Sequence, residues 1–155
     1  MKTKLFFDMD GTIADLYNEP RWLEDIQAEN PVFERLKPMV DMTALKELCS
    51  KLQEQGIIIG IITWLPMRAS EQYEQECTIE KKKWIQKHLP EVTEFYAQRY
   101  GEPKQNAPFQ RADYCNILVD DNAEVVNMWE KIRKHKAIKV ENGNTIERIK
   151  EFFGI

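Results

Sequence analysis

The sequence predicts an α/β domain built on a mostly parallel sheet, and two features of the chain indicate it. Short apolar runs of strand length alternate with segments whose apolar residues recur at helical spacing. The apolar runs are continuous, without the apolar–polar alternation of a sheet that faces water on one side. Strands of this kind are buried on both faces. A three-layer arrangement with helices on either side of the sheet is therefore expected.

The strands are predicted from these runs, in chain order, at residues 4–7, 57–62, 94–98, 116–119 and 137–140. Between the first two, four apolar residues recur at i, i+3, i+4 and i+7 and predict a helix face: Leu45, Leu48, Cys49 and Leu52. Asp41 or Thr43 can cap this helix, and Gly56 follows its end.

Three further helices are predicted after the second strand. One carries Trp84, Ile85 and His88 and stops at Pro90. The next follows Asp121 and has its apolar face at Val125, Met128 and Trp129. The last covers residues 145–153. The basic segment 131–136 is expected to be the solvated end of a helix, where cations complement the helix dipole.

The domain organisation is expected to be simple. The 155 residues contain no internal repeat and no Pro/Gly-rich linker, which predicts a single domain over residues 1–155. Only residues 14–38 lie free between the first strand and the first core helix, so this segment is expected to be a short flap with one helix at about residues 22–26. It is too short for a full cap domain.

Composition excludes several classes of partner. Apolar residues make up 43% of the chain, which supports an ordinary core. The 22 basic and 26 acidic residues leave a net charge of −4, which argues against a nucleic-acid partner. The longest apolar run, residues 57–63, is too short to cross a bilayer, and no secretion signal opens the chain. Three cysteines without a CxxC pair favour a reducing cytoplasm.

Polar side chains follow three of the predicted strands. The first strand runs into Asp8 and Asp10, the second into Thr63, and the fourth into Asp120 and Asp121. In parallel sheets the ligand binds beyond the carboxyl ends of the strands, where these residues meet. Each aspartate alone is also explained as a turn or cap residue. Together, converging carboxylates indicate a site for a divalent cation, and oxygen ligands suit Mg²⁺.

Three motifs carry a resemblance to a known family. The segment FFDMDGT (residues 6–12) resembles the first signature of haloacid dehalogenase superfamily phosphatases, an apolar run followed by DxDGT. The segment IIT (residues 61–63) resembles the second signature, and ILVDDN (residues 117–122) the acidic fourth. The resemblance covers the chain from residue 4 to about residue 122. It implies a fold with the Rossmann-like core of that superfamily.

The resemblance also implies a role for each residue. Asp8 would be the nucleophile that forms an aspartyl-phosphate, and Asp10 the general acid and then the general base. Asp10 favours phosphoryl transfer, because the dehalogenases of the superfamily lack this second aspartate. Thr63 would donate a hydrogen bond to a phosphoryl oxygen. Asp8, Asp120 and the backbone carbonyl of Asp10 would hold Mg²⁺, with Asp121 beside the ion or bound to it through water.

The third signature of the superfamily is a lysine, and the sequence offers two positions for it. Lys104 follows the third strand, where a loop can reach the shared edge of the sheet. The alternative is one of the three lysines 81–83, which are also typical of a solvated helix face. We favour Lys104 because the loop that carries it can reach the edge of the sheet where the aspartates lie.

One branch of the superfamily fits more closely, the 5′(3′)-deoxyribonucleotidases. DMDG followed by IAD (residues 8–15) and EKKKWIQKHL (residues 80–89) are similar to segments of these enzymes. The similarity implies a nucleotide substrate. Thr12, Trp64 and Lys81 are expected to contact it, with Lys81 on the phosphate. The chain departs from the branch at Thr12, where valine is usual, and after Thr63, where Ser-Pro is typical.

Aromatic side chains near the site have two interpretations. Trp22, Phe33 and Trp64 can stack on a nucleobase, because an aromatic face accepts any base. Trp22 and Phe33 can equally pack the flap onto the core.

Other functions compete with the nucleotidase. An open site would also suit sugar phosphates, phosphoproteins or nucleic-acid ends, and some capless members of the superfamily form a homodimer to borrow a lid. A receiver domain would need a phosphorylated Asp after its third strand, but here that strand leads to Gln98. A phosphate-binding scaffold without turnover is disfavoured because every expected catalytic residue type is present.

Overall fold

A five-stranded, all-parallel sheet forms the centre of the computed structural model, which describes residues 1–155. Its strands lie in the order β3-β2-β1-β4-β5. Their bounds are Lys2–Phe7 for β1, Ile58–Trp64 for β2, Glu94–Gln98 for β3, Tyr114–Asp120 for β4 and His135–Lys139 for β5. All five predicted strands are present, and the predicted α/β class is confirmed.

Helices cover both faces of the sheet. They are α1 Trp22–Gln27, α2 Met42–Glu54, α3 Glu71–His88, α4 Ala123–Glu130 and α5 Thr145–Phe153. The Asp41 side chain accepts a hydrogen bond from the Ala44 backbone N–H and so caps α2 as predicted. Ser70 caps α3 in the same way. None of the helices combines the length and apolar composition needed to cross a membrane.

The two faces of the sheet bury different clusters, because successive strand residues point to opposite sides. On β1, Leu5 and Phe7 join the larger cluster, to which α2, α3 and α5 contribute. Phe6 points the other way and packs with Leu118 and with Trp129 of α4. The result is three layers, with α4 on the face opposite to the other core helices.

The strand order reverses direction beside β1. From β1 the chain moves outward to β2 and β3, then returns to place β4 on the other side of β1 and continues outward to β5. At such a switch point the connections leave the sheet on opposite faces and open a crevice between two strand ends. The fold therefore places a crevice between the carboxyl ends of β1 and β4.

The flap, residues 14–38, is joined firmly to the core. Its ends are tied by a bridge between Ala14 and Pro38, and it contains α1 and a 3₁₀ turn at Phe33–Arg35. The indole N–H of Trp84 donates to the Leu36 carbonyl at 2.8 Å. Phe33 is buried in the core, which confirms the packing interpretation of this side chain.

The basic segment 131–136 follows the end of α4, and its four lysine and arginine side chains are exposed as expected, whereas His135 is buried. Helix α4 ends at Glu130, and the chain turns into β5 at His135. The imidazole is 7% exposed, lies 4.3 Å from the Trp129 ring between centroids, and makes no hydrogen bond within the chain. His135 therefore packs as an aromatic ring against Trp129 at the start of β5.

This burial predicts a pH-dependent stability. Burial and then the charge of Arg111 lower the pKa of His135 from 6.5 to about 4. As the pH falls from 6.5 to 4, the unfolded chain takes up a proton that the folded chain excludes. The free energy of unfolding should therefore fall over this window, by up to about 3 kcal/mol from this residue. Urea denaturation of the wild type and of His135→Phe across the window checks this. An unchanged pH dependence in the variant would refute it.

Candidate active site

The crevice is lined by carboxylates from two adjacent strands. Asp8 directly follows β1, and its backbone N–H donates to the Val119 carbonyl of β4 at 2.9 Å. This bond continues the ladder between the two strands and sets Asp8 beside Asp120. Both side chains face the same cavity, as do those of Asp10 and Asp121. The structure thus brings together the four aspartates that the sequence singled out.

A tight turn after β1 positions Asp10. The Met9 carbonyl accepts hydrogen bonds from the backbone N–H groups of Thr12, Ile13 and Ala14 at 2.9–3.1 Å, so the chain curls back at once. Gly11 has a φ of 82°, and a Cβ there would lie 2.4 Å from an Asp121 oxygen. Only glycine allows this backbone and this approach without strain.

Lys104 neutralises part of the negative charge. Its Nζ lies 2.8 Å from Asp8 Oδ1 and 2.8 Å from Asp120 Oδ2, and the side chain is almost fully buried. Burial lowers the pKa of Lys104, but the two carboxylates outweigh it, and the pKa is raised overall. A 3₁₀ turn at Lys104–Asn106, reached from β3, delivers the side chain. Of the two predicted lysine positions, Lys104 is the one beside Asp8.

Lys81 occupies a separate position on α3. Its ammonium donates to Asp10 Oδ2 at 2.9 Å, to Thr63 Oγ1 at 2.8 Å and to the Trp64 carbonyl at 2.7 Å. The side chain is fully buried, and the Phe33 ring covers it at 4.5 Å. These bonds use all three ammonium hydrogens. In this arrangement the lysine holds Asp10 and Thr63 in place, and the phosphate contact expected of Lys81 stays a prediction.

The two threonines are both fully buried. Thr12 donates its hydroxyl hydrogen to Asp8 Oδ2 at 3.1 Å, a bond that orients Asp8. Like Thr63 it is absent from the cavity wall, and the substrate contact expected of it stays a prediction. Thr63 stands at the carboxyl end of β2 and accepts from Lys81, which leaves its own hydrogen free to donate.

Three carboxylates form a group that can hold a cation. Asp8, Asp120 and Asp121 each offer one oxygen, and these atoms lie within 4.8 Å of one another. Burial, then the charge of Asp8, raises the pKa of Asp120 to about 6. Burial, then the charges of Asp8 and Asp120, raises the pKa of Asp121 to about 7. A divalent cation would relieve the repulsion that these shifts report.

The acidic floor opens into a cavity of about 640 Å³ with largely apolar walls. On the flap side, Tyr17 and Trp22 form an edge-to-face pair with ring centroids 5.2 Å apart. On the β3 side, Trp64 packs against Tyr100 at 5.0 Å, and its indole N–H donates to the Glu102 carbonyl at 2.9 Å. Trp64 therefore lines the cavity, and the substrate contact expected of it stays a prediction.

Two contacts at the site were not predicted from the sequence. Tyr17 lines the cavity above the aspartates, and Phe33 covers Lys81. The flap brings both there through tertiary packing, and no spacing or motif in the sequence indicates it.

Comparison of the chain with protein-family models and with curated proteins finds no match.

Proposed function

We propose that this protein is a Mg²⁺-dependent phosphomonoesterase that works through an aspartyl-phosphate on Asp8. One observation carries the proposal. Asp8 has both oxygens oriented, by Lys104 and Thr12, while Asp10 lines the same cavity and has one buried oxygen without a hydrogen-bond partner. A held carboxylate beside a second carboxyl group with a free oxygen suits nucleophilic and acid–base roles. The motif resemblance to haloacid dehalogenase superfamily phosphatases supports the same assignment.

In the first step, an Asp8 oxygen attacks phosphorus and the bond from phosphorus to the ester oxygen breaks. The leaving alcohol takes a proton from Asp10. Burial, which outweighs the opposing charge of Lys81, raises the pKa of Asp10 and favours the protonated acid that this step needs. The free Oδ1 is the atom available for the transfer, because Lys81 engages Oδ2.

In the second step, Asp10 accepts a proton from a water molecule as that water attacks the phosphorus. The bond from phosphorus to Asp8 breaks, and inorganic phosphate and the Asp8 carboxylate are regenerated. Lys104 stays beside Asp8 throughout and offsets the charge that builds up on the phosphoryl oxygens. The superfamily resemblance implies that Thr63, which stands at the carboxyl end of β2, donates its hydroxyl hydrogen to one of these oxygens.

The donor set at the site fits Mg²⁺, since all its ligand atoms are oxygens of closely spaced carboxylates. Asp8, Asp120 and Asp121 would hold the ion, with the Asp10 carbonyl as the superfamily resemblance implies. Bound there, Mg²⁺ supplies charge neutralisation that lets a phosphate dianion approach the aspartates.

The cavity supports a small substrate. Its volume of about 640 Å³ is typical of small-molecule sites, and the flap encloses one side of it. Aromatic walls at Trp22 and Trp64 suit the base of a nucleotide, in keeping with the deoxyribonucleotidase resemblance. Sugar phosphates are the second candidate class. Phosphoproteins and nucleic-acid ends fit the walled cavity less well than they would fit an open site.

Phosphate release from a panel of phosphomonoesters, with Mg²⁺ and with EDTA, tests the proposal. The panel pairs deoxynucleoside monophosphates with sugar phosphates, a phosphopeptide and end-phosphorylated oligonucleotides. We expect Mg²⁺-dependent release with a preference for the deoxynucleotides. Preference for another class would retain the chemistry and replace the substrate assignment. No release from any member would contradict the proposal.

Metal binding gives a separate prediction. At a Mg²⁺ concentration one hundredfold above Kd, the ion should stabilise the fold by about 2.7 kcal/mol, or about 5 to 10 °C in Tm. Asp121→Asn should reduce this shift because it removes one ligand and one negative charge. Glu124→Gln, at an exposed position on α4, is the matched control and should keep it. Equal shifts in all three proteins would argue against the site.

A further inference from the structure

Tyr17 occupies a fixed position over the acidic floor. The residues before it are anchored: the Asp15 backbone N–H donates to the Lys37 carbonyl at 2.9 Å, and Leu16 is buried. Trp22 packs edge-to-face on the Tyr17 ring. The side chain itself is 55% exposed and lines the same cavity as Asp8. Tyr17 is therefore held from behind by the flap and open towards the site.

The phenol end of the ring reaches the aspartates. The point where a Gly11 Cβ would stand lies 2.9 Å from Tyr17 Cε2 and 2.4 Å from Asp121 Oδ2. Cε2 is bonded to the carbon that carries the hydroxyl group. The missing side chain of Gly11 thus makes room for the phenol and the Asp121 carboxylate to converge above the turn after β1.

The Tyr17 hydroxyl is a free donor. The hydroxyls of Tyr73 and Tyr96 bond within the chain, whereas that of Tyr17 has no partner in the fold. A phenol is protonated at neutral pH, so the hydroxyl keeps its hydrogen. A neutral hydroxyl beside the aspartates can donate a hydrogen bond to an anionic ligand that binds in the cavity.

Hydrogen-bond donors without a partner at the site could bond to the oxygens of a phosphoryl group. Lys104 keeps one ammonium hydrogen after bonding Asp8 and Asp120, and it lines the same cavity as the Tyr17 hydroxyl. We propose that Tyr17 is a substrate-contacting residue whose hydroxyl donates a hydrogen bond to the phosphoryl group held over Asp8. This inference rests on the proposed function for its substrate.

Tyr17→Phe tests the inference, since it removes the hydroxyl and keeps the ring. Two quantities are measured: kcat/KM for the best phosphomonoester, and the affinity for inorganic phosphate by calorimetry in the presence of Mg²⁺. We expect the variant to lower both by about tenfold or more, the usual effect of a hydrogen bond to a charged group. Tyr114→Phe removes a phenol hydroxyl at the opposite end of the sheet and should leave both unchanged.

The outcomes separate this inference from the proposed function. Wild-type binding of phosphate that depends on Tyr17, without turnover of any substrate, would uphold the contact and overturn the phosphatase. Turnover with the same kcat/KM and the same phosphate affinity in the wild type and Tyr17→Phe would uphold the phosphatase and overturn the contact. A loss seen in Tyr17→Leu but not in Tyr17→Phe would assign the effect to the ring and overturn the hydroxyl contact. Absence of both turnover and phosphate binding would overturn both.

Discussion

Replacing Asp8 with asparagine (Asp8→Asn) is expected to lower kcat for phosphomonoester hydrolysis by about ten-thousandfold or more, the scale seen when a nucleophile is removed. The amide keeps the size of the side chain but lacks the charge that attacks phosphorus. Kinetics of the purified variant on the preferred substrate measure the effect. Asp113→Asn, at an exposed position beyond the other end of the sheet, is the matched control and should retain wild-type activity.

The Asp8→Asn protein should fold normally. Lys104 keeps Asp120 as a partner at 2.8 Å, and removing one negative charge relieves the repulsion on Asp120 and Asp121. A thermal melt close to that of the wild type is therefore expected. Loss of less than about tenfold in kcat, roughly 1.4 kcal/mol of barrier, would remove Asp8 from the role of nucleophile.

Lys81→Met is expected to destabilise the fold by about 3 to 5 kcal/mol and to lower kcat by about one hundredfold or more. Methionine fills similar space but leaves Asp10, Thr63 and the Trp64 carbonyl without their shared donor. A carboxylate that loses its buried partner carries most of this cost. Urea denaturation measures the stability and steady-state kinetics the activity. Lys83→Met, two residues further along the same helix and exposed, should change neither.

A double-mutant cycle with Asp10→Asn, measured by urea denaturation, tests the pairing of Lys81 and Asp10 independently of the kinetics. Asp10→Asn removes the charge that the lysine neutralises, so the double variant should lose less stability than the two single changes would add up to. Additive losses would mean that Lys81 and Asp10 do not act as a pair. A stable and fully active Lys81→Met protein would contradict the positioning role.

The central strands β1, β2 and β4 were predictable because parallel strands buried on both faces leave a continuous apolar signal. β3 begins and ends at the predicted residues, 94–98, and β2 is found two residues longer at its carboxyl end. The start of β5 was missed. Its first residue, His135, is polar, and only the Trp129 ring across the α4–β5 contact makes burying it favourable. This contact depends on how α4 packs against β5, so the local sequence does not predict it.

The site was predictable to the extent that its residues follow strand ends. Asp8, Thr63 and Asp120 fall at the edge where parallel strands terminate, so topology alone brings them together. Lys81 and Tyr17 reach the site from a helix and from the flap, and their contacts depend on side-chain packing. The sequence indicated Lys81 as a candidate, but the three acceptors around it could be identified only from the folded structure.

The most direct test of the account uses Asp10→Asn with p-nitrophenyl phosphate. This substrate has a leaving group that needs no general acid, so Asp8 should still be phosphorylated, while hydrolysis stalls without the Asp10 base. We expect a burst of one equivalent of p-nitrophenolate and a gain in protein mass of one phosphoryl group on the peptide that contains Asp8. An active wild type whose Asp10→Asn variant shows neither burst nor added mass would contradict the covalent intermediate.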